Sequence, residues 1–198
     1  MNARPSQAGG LREITREAVR ERIAEQALIL FDENGFEQTT IEDIVTAVGI
    51  SSRSYFRYYA SKEEAVIRDL VVGGAKLRDN VAQRLLEETP WQALHHGMRD
   101  GAEQIDARPE KWLRTMRVIY SAASLRARNL EKHLTWSALL TPLINEHLDG
   151  DPRFGDLPAR TLVGRAFACL DAALASWTEA NAAAPFRDAI DAAFAVRT

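Results

Sequence analysis

The sequence predicts an all-α protein, on three observations. After Leu11 nearly every segment repeats its apolar residues at three- and four-residue spacing. No run of four or more residues alternates apolar and polar between turn signals, so no strand is indicated. Pro90, Pro109, Pro158 and Pro185 stand where helices would start, positions at which a missing N–H costs nothing. The composition, 46% apolar and 27% charged over 198 residues, is that of a chain able to bury a real core. No apolar run approaches the roughly 18 residues of a membrane span, so no membrane role is expected. Cys169, the single cysteine, cannot form an internal disulfide, and the opening MNARPSQAGG lacks the apolar centre of a signal peptide, which together imply a cytoplasmic setting. The net charge is −3, so any case for an anionic partner must rest on where the cations lie.

The elements follow in order. Residues 1–14 read as a flexible arm. A first helix is expected from about Thr15 to Asn34, with Val19, Ile23, Ala27, Leu30 and Phe31 on one face and Gly35 supplying the left-handed residue that ends it. A short second helix follows: Thr40 is its N-cap, Asp43 completes a capping box, and Ile41, Ile44, Val45 and Val48 form one narrow stripe. Gly49 suits a tight turn and Ser51 caps what comes next, so two short helices meet across about three residues, a helix-turn-helix. Ser61 and Glu64 cap a further helix, which Gly73 and Gly74 are expected to break or weaken. Beyond it, helices are expected near 75–88, 91–106, 109–122, 124–148, 158–181 and 185–196, with Pro142 kinking or splitting its own. The domain reading is an N-terminal three-helix unit over 15–66 and a helical body over 67–198.

The stretch GISSRSYFRYYASKEEA, residues 49–65, concentrates three cations, four aromatic rings and four serines, with no acid before Glu63. At 100° per residue from Ser52, Arg53, Phe56 and Arg57 fall on one side and Tyr55 and Tyr59 nearly opposite. The tyrosines are expected to anchor the helix on the two before it, leaving two cations and a ring pointing outward. A helix of that chemistry, presented across a short turn, fits a DNA major groove: arginine can fork onto guanine or phosphate, and Ser52 and Ser54 can donate to either. The capped N-termini at Thr40 and Ser61 suit phosphate, and Lys62 in a first helical turn would be relieved by one. Each residue alone also has an ordinary structural reading, as a solvated cation, a core ring or a plain cap.

The segment ILFDENGFEQTTIEDIVTAVGISSRSYFRYYASKEEAV resembles the amino-terminal signature of TetR-family transcriptional regulators, with Phe31, Gly35, Phe36, Thr39, Thr40, Ile44, Gly49, Ser51, Tyr58, Tyr59, Ser61, Lys62 and Glu63 in register. The resemblance implies DNA contacts from Thr40, Ser51, Ser52, Arg53, Ser54, Phe56, Arg57, Tyr58 and Lys62. Phe56 departs from the tyrosine common there, which removes a hydroxyl contact to phosphate, and the variable position of Arg53 leaves the operator unassigned. The family implies a double-stranded operator, a homodimer built on the last two helices, and a small-molecule effector bound in the body. The stripe Val163, Phe167, Leu170, Leu174 and Trp177, with Phe186, Ile190 and Phe194, is read as the dimer interface, with internal core as its alternative.

All four tryptophans, Trp91, Trp112, Trp136 and Trp177, lie in the body. Trp112, Met116 and Tyr120 share one helical face and Trp136 and Leu140 another, and together they are expected to line a ligand site; Arg117 beside them is a candidate for an anionic head. No cofactor is expected. His95 and His96 are adjacent and so diverge on a helix, His133 and His147 are isolated, and neither a glycine-rich phosphate loop nor a nucleophile elbow is present, so neither a metal site nor an enzyme is expected. Two competing readings stay open: a small-molecule-binding protein or enzyme with a vestigial helix-turn-helix, and a DNA binder without an effector, which predicts a body packed with no cavity.

Overall fold

The structure, a computed structural model, describes residues 7–149 and 151–196, with side chains from Glu13 onward. Among the described residues there are nine α-helices and one 3-10 turn, and no strand, as the periodicity predicts. The chain divides into two compact units, Met1–Val66 and Ile67–Thr198.

In the first unit, α1 (Gln7–Asn34) packs on α2 (Ile41–Val48), and α2 on α3 (Ser52–Tyr55). The first helix begins eight residues before its expected start at Thr15. Residues 7–14 of the stretch read as an arm are therefore helical, and residues 1–6 lie outside the described residues. Ile23, Ala27, Phe31, Phe36, Ile44 and Val45 form the core, with the rings of Phe31 and Phe36 4.9 Å apart. Buried Thr39 closes the end of α1, its hydroxyl donating to the Gly35 carbonyl at 2.8 Å.

α4 (Lys62–Arg84) runs unbroken through Gly73 and Gly74, so of the two expected outcomes the break does not occur, and the helix expected from residue 75 is its continuation. The glycines serve packing instead of helix termination: a Cβ on Gly74 would overlap the indole of Trp136, so the helix that carries Trp136, residues 123–145, approaches here because α4 presents no side chain. The indole Nε1–H also donates to the Val71 carbonyl at 3.1 Å.

The second unit continues with α5 (Pro90–Asp106), α6 (Pro109–Ser121), α7 (Ala123–Asn145), α8 (Leu157–Glu179) and α9 (Phe186–Phe194). Thr89 and Gln92 form a reciprocal capping box at the start of α5, with Pro90 in the first turn. Pro142 does not split α7; it forgoes one N–H donor and stands in the last turn, so little helix follows for it to disrupt. The core sits where α8 packs against α5, α6, α7 and α9. Polar ties reinforce the junction of α5 and α9: His95 Nε2 and Arg99 Nε reach the two oxygens of Asp191 at 2.8 and 3.0 Å. Among the described residues no helix is long and apolar enough to cross a membrane.

The stripe expected to face a partner is instead this unit's own core. Val163, Phe167, Leu170, Leu174 and Trp177 of α8 and Phe186, Ile190 and Phe194 of α9 are all buried within the single chain. An amphipathic helix turns its apolar face to the nearest apolar surface, and here α5, α7 and the two helices themselves supply it. The face of α8 left to solvent carries Gly164, Ala168, Ala172 and Ser176, small residues at a spacing of four.

Candidate nucleic-acid interface and ligand cavity

The turn between α2 and α3 is built by local chemistry. Gly49 takes the left-handed conformation (φ 79°), and the N–H groups of Gly49 and Ile50 close on the Val45 carbonyl at 2.9 and 3.0 Å. A Cβ on Gly49 would meet open space, so the position needs glycine for its backbone angle alone. Ser51 then caps α3, its hydroxyl accepting from the Ser54 N–H at 3.2 Å. The regular part of α3 is four residues, followed by tight turns through Tyr58.

Two tyrosines hold this short helix in place. Tyr55 is 0% exposed and donates to the Ser61 carbonyl at 3.0 Å; Tyr59 is 2% exposed and donates to the Arg20 carbonyl at 3.1 Å. Burial pushes the Tyr55 phenol well above its ordinary range, helped by the nearby Glu64 and Glu63, so it remains a donor. Phe56, 55% exposed, stands edge-on to Tyr55, and Arg53 and Arg57 are exposed beside it. Neither guanidinium forms an ion pair or hydrogen bond among the described residues; Arg57 lies 5.9 Å from the centre of the Tyr58 ring. Arg53, Phe56 and Arg57 thus form one outward face, flanked by the half-exposed Ser52, Ser54 and Tyr58 and the exposed Ser51.

Thr40 and Lys62 are used differently. Thr40 and Asp43 form a closed capping box, the Thr40 hydroxyl donating to Asp43 at 2.7 Å and accepting its N–H at 3.2 Å. The backbone N–H of Thr40, then its hydroxyl, holds the Asp43 carboxyl below the usual range. The first turn of α2 carries Glu42 and Asp43, and that of α4 carries Glu63 and Glu64. These acids already offset the helix dipoles that were expected to attract phosphate. Lys62 turns inward: its ammonium donates to the carbonyls of Phe36 at 2.8 Å and Thr39 at 3.0 Å and lies 4.5 Å from the centre of the Phe36 ring. It staples the loop between α1 and α2, supplying a donor to two loop carbonyls that no helix or sheet ladder pairs.

In the second unit, α4 to α9 enclose a cavity of about 550 Å³. Of the six residues expected to line a ligand site, Trp112, Met116 and Trp136 do so. Leu140 is fully buried outside the lining, and Arg117 and Tyr120 are exposed and also outside it. Leu170, Leu174 and Phe186, expected at a dimer interface, are cavity wall. The lining is apolar apart from a few groups, among them Lys76, Arg108, Lys111, Lys132, Asp69 and Asn129. Lys132 was legible in principle: it lies one turn before Trp136 and two before Leu140, on the same helical face. It is passed over when only the aromatic and apolar residues of this face are followed.

The fold and the turn define a helix-turn-helix protein with a second, helical unit, and comparison with known proteins agrees. Residues 23–67 match the bacterial regulatory proteins of the tetR family and residues 88–197 match the MftR C-terminal domain. The chain belongs to the tetR family of bacterial regulatory proteins. It is 33% identical over 90 residues to the transcriptional regulator TcmR of Streptomyces glaucescens, covering 46% of this chain and 40% of that one. It is 29% identical over 133 residues to the Mycobacterium tuberculosis protein designated the mycofactocin biosynthesis transcriptional regulator MftR, covering 65% of each. The matched stretches therefore span less than two thirds of either relative's length. Among solved structures, the FadR repressor of Thermus thermophilus in complex with lauroyl-CoA shares the fold, with a TM-score of 0.56 at 24% identity over 90% of this chain and 96% of that one.

Proposed function

We propose that this chain is a cytoplasmic, sequence-specific DNA-binding regulator of transcription, a homodimeric repressor released from a palindromic operator by a small apolar or amphipathic ligand. The observation that carries the reading is the outward face of α3: two exposed guanidinium groups and an exposed ring, fixed from behind by two buried, hydrogen-bonded tyrosines. A rigid backing of this kind lets a four-residue helix hold base-reading side chains in register. Arg53 and Arg57 are the principal contacts, with Ser51, Ser52, Ser54, Phe56 and Tyr58 around them; Thr40 contributes a cap and Lys62 a staple.

The cavity supports the ligand-responsive half of the proposal over a DNA binder without an effector, which requires a packed body. A ligand bound more tightly by the form with mismatched recognition helices weakens DNA binding by the same factor. The lauroyl-CoA carried by the related fold supports an amphipathic ligand class. Dimerisation through the last two helices would use their solvent faces, where Gly164, Ala168, Ala172 and Ser176 allow close helix approach.

Selection of random duplex DNA by the purified protein, followed by affinity against salt on the winner, tests the reading. The expected result is an enriched palindrome with half-sites about 34–36 Å or a multiple apart. Weak binding without enrichment, lost at modest salt, would overturn it and direct attention to the cavity-bearing unit as a small-molecule binder.

A further inference from the structure

Lys132 is unusual in the second unit. It is 5% exposed and lines the cavity, so its ammonium faces the cavity interior and is largely withdrawn from bulk solvent. Among the described residues its one close partner is the Trp136 ring, whose centre lies 4.7 Å from Nζ. Among the described residues no carbonyl or carboxylate accepts a hydrogen bond from it. The carboxylate that acts on it, Asp171, does so at longer range and stands 3.5 Å from His133 instead. The other charged lining groups differ in kind: Lys76, Arg108 and Lys111 are exposed and belong to the mouth, and exposed Asp69 is paired with Arg68 at 3.4 Å.

An ammonium largely withdrawn from bulk water and without a protein acceptor is costly, and the ring face satisfies only part of its donors. Burial accordingly lowers its pKa to about 8, which still leaves it largely protonated near neutrality. A purely aliphatic ligand would worsen this arrangement by pressing hydrocarbon against the charge. A ligand that brings an anionic oxygen would relieve it.

We infer that the cavity is built for an amphipathic anion whose carboxylate, sulfonate or phosphate oxygen meets Lys132 Nζ while its apolar body packs against Trp112, Met116 and Trp136. The inference rests on the ligand-responsive reading above and narrows it, since it assigns the charged end of the ligand to the enclosed lysine and not to the cations at the mouth.

Two fluorescent probes that differ only in the anion, 8-anilinonaphthalene-1-sulfonate and the neutral N-phenyl-1-naphthylamine, test it on the full chain. The wild-type protein is expected to bind the sulfonate at least about tenfold more tightly, the scale of a hydrogen bond to a charged group. Lys132→Met should bring the ratio close to one by weakening the sulfonate alone, and Lys132→Arg should keep most of the preference. Equal binding of both probes by wild type overturns the inference while leaving a ligand cavity, and needs no variant. A preference kept in Lys132→Met but lost in Lys111→Met also overturns it, by placing the anion at the mouth. Failure of wild type to bind either probe removes the ligand-responsive reading, and the inference with it.

Discussion

Gly74→Ala should destabilise the second unit even though alanine is the better helix former. The substitution gains about 1 kcal/mol of helix propensity in the middle of α4. Against this, the new methyl group would overlap the Trp136 indole, and overpacking of this kind costs about 1–3 kcal/mol. If the ring moves to make room, the hydrogen bond from its Nε1–H to the Val71 carbonyl is lost as well, at about 1 kcal/mol. The balance is a net loss of about 1–3 kcal/mol, or roughly 2–12 °C in Tm for a chain of this size. Gly101→Ala in α5 is the control, because nothing lies within 4 Å of its added Cβ. It should stabilise by up to about 1 kcal/mol. Urea unfolding followed by tryptophan fluorescence reports the right unit, since all four tryptophans lie in it. If both variants stabilise alike, the close approach of Trp136 to α4 is wrong and the two glycines are incidental.

Lys62→Met should lower the stability of the first unit by about 1–3 kcal/mol, by leaving the Phe36 and Thr39 carbonyls without their donor, while the salt dependence of DNA binding stays as in wild type; a slope shallower by about one unit would return Lys62 to phosphate contact. Arg53→Ala should relax base preference at one operator position at a cost of about 1–3 kcal/mol, and an unchanged selected sequence would remove it from base reading. His133 is held neutral, its pKa lowered to about 4 by burial and then by Lys132, with Asp171 its nearest carboxylate. Because the unfolded chain takes up this proton near pH 6.5 and the folded chain only near 4, His133 removes stability as pH falls through that window. His133→Phe should therefore show a smaller drop in urea midpoint between pH 7 and 5 than wild type. Ala168→Glu, on the solvent face of α8, should reduce the dimer fraction in sedimentation with little effect on the fold of the single chain, whereas Val163→Ala should destabilise the fold itself.

The helix-turn-helix was legible because its determinants lie within a few residues of one another. Thr40 caps Asp43, Gly49 turns the chain, Ser51 caps Ser54, and the alternation of Tyr55 and Tyr59 with Arg53 and Arg57 follows from helical geometry. What failed to read out depended on distant partners. Lys62 looks like a free cation until the loop carbonyls of residues 36 and 39 fold against it. The stripe on α8 shows that the helix buries a face, but amphipathicity is silent on whether the covering surface belongs to the same chain. Gly73 and Gly74 read as a break because glycine's cost is local, while its benefit here lies on α7.

The last of these misreadings leads to Trp136. Its indole touches α4 at Gly74, is hydrogen-bonded to Val71, offers its face to the Lys132 ammonium and forms part of the cavity wall. An anion that draws Lys132 toward itself competes with the ring for the same charge, so occupying the cavity and holding α4 against α7 are not independent. It follows that Gly74→Ala, chosen to disturb packing alone, should also change the affinity for the sulfonate probe. A variant that shifts the urea midpoint but leaves that affinity untouched would show that the ring's position and the site at Lys132 are separable.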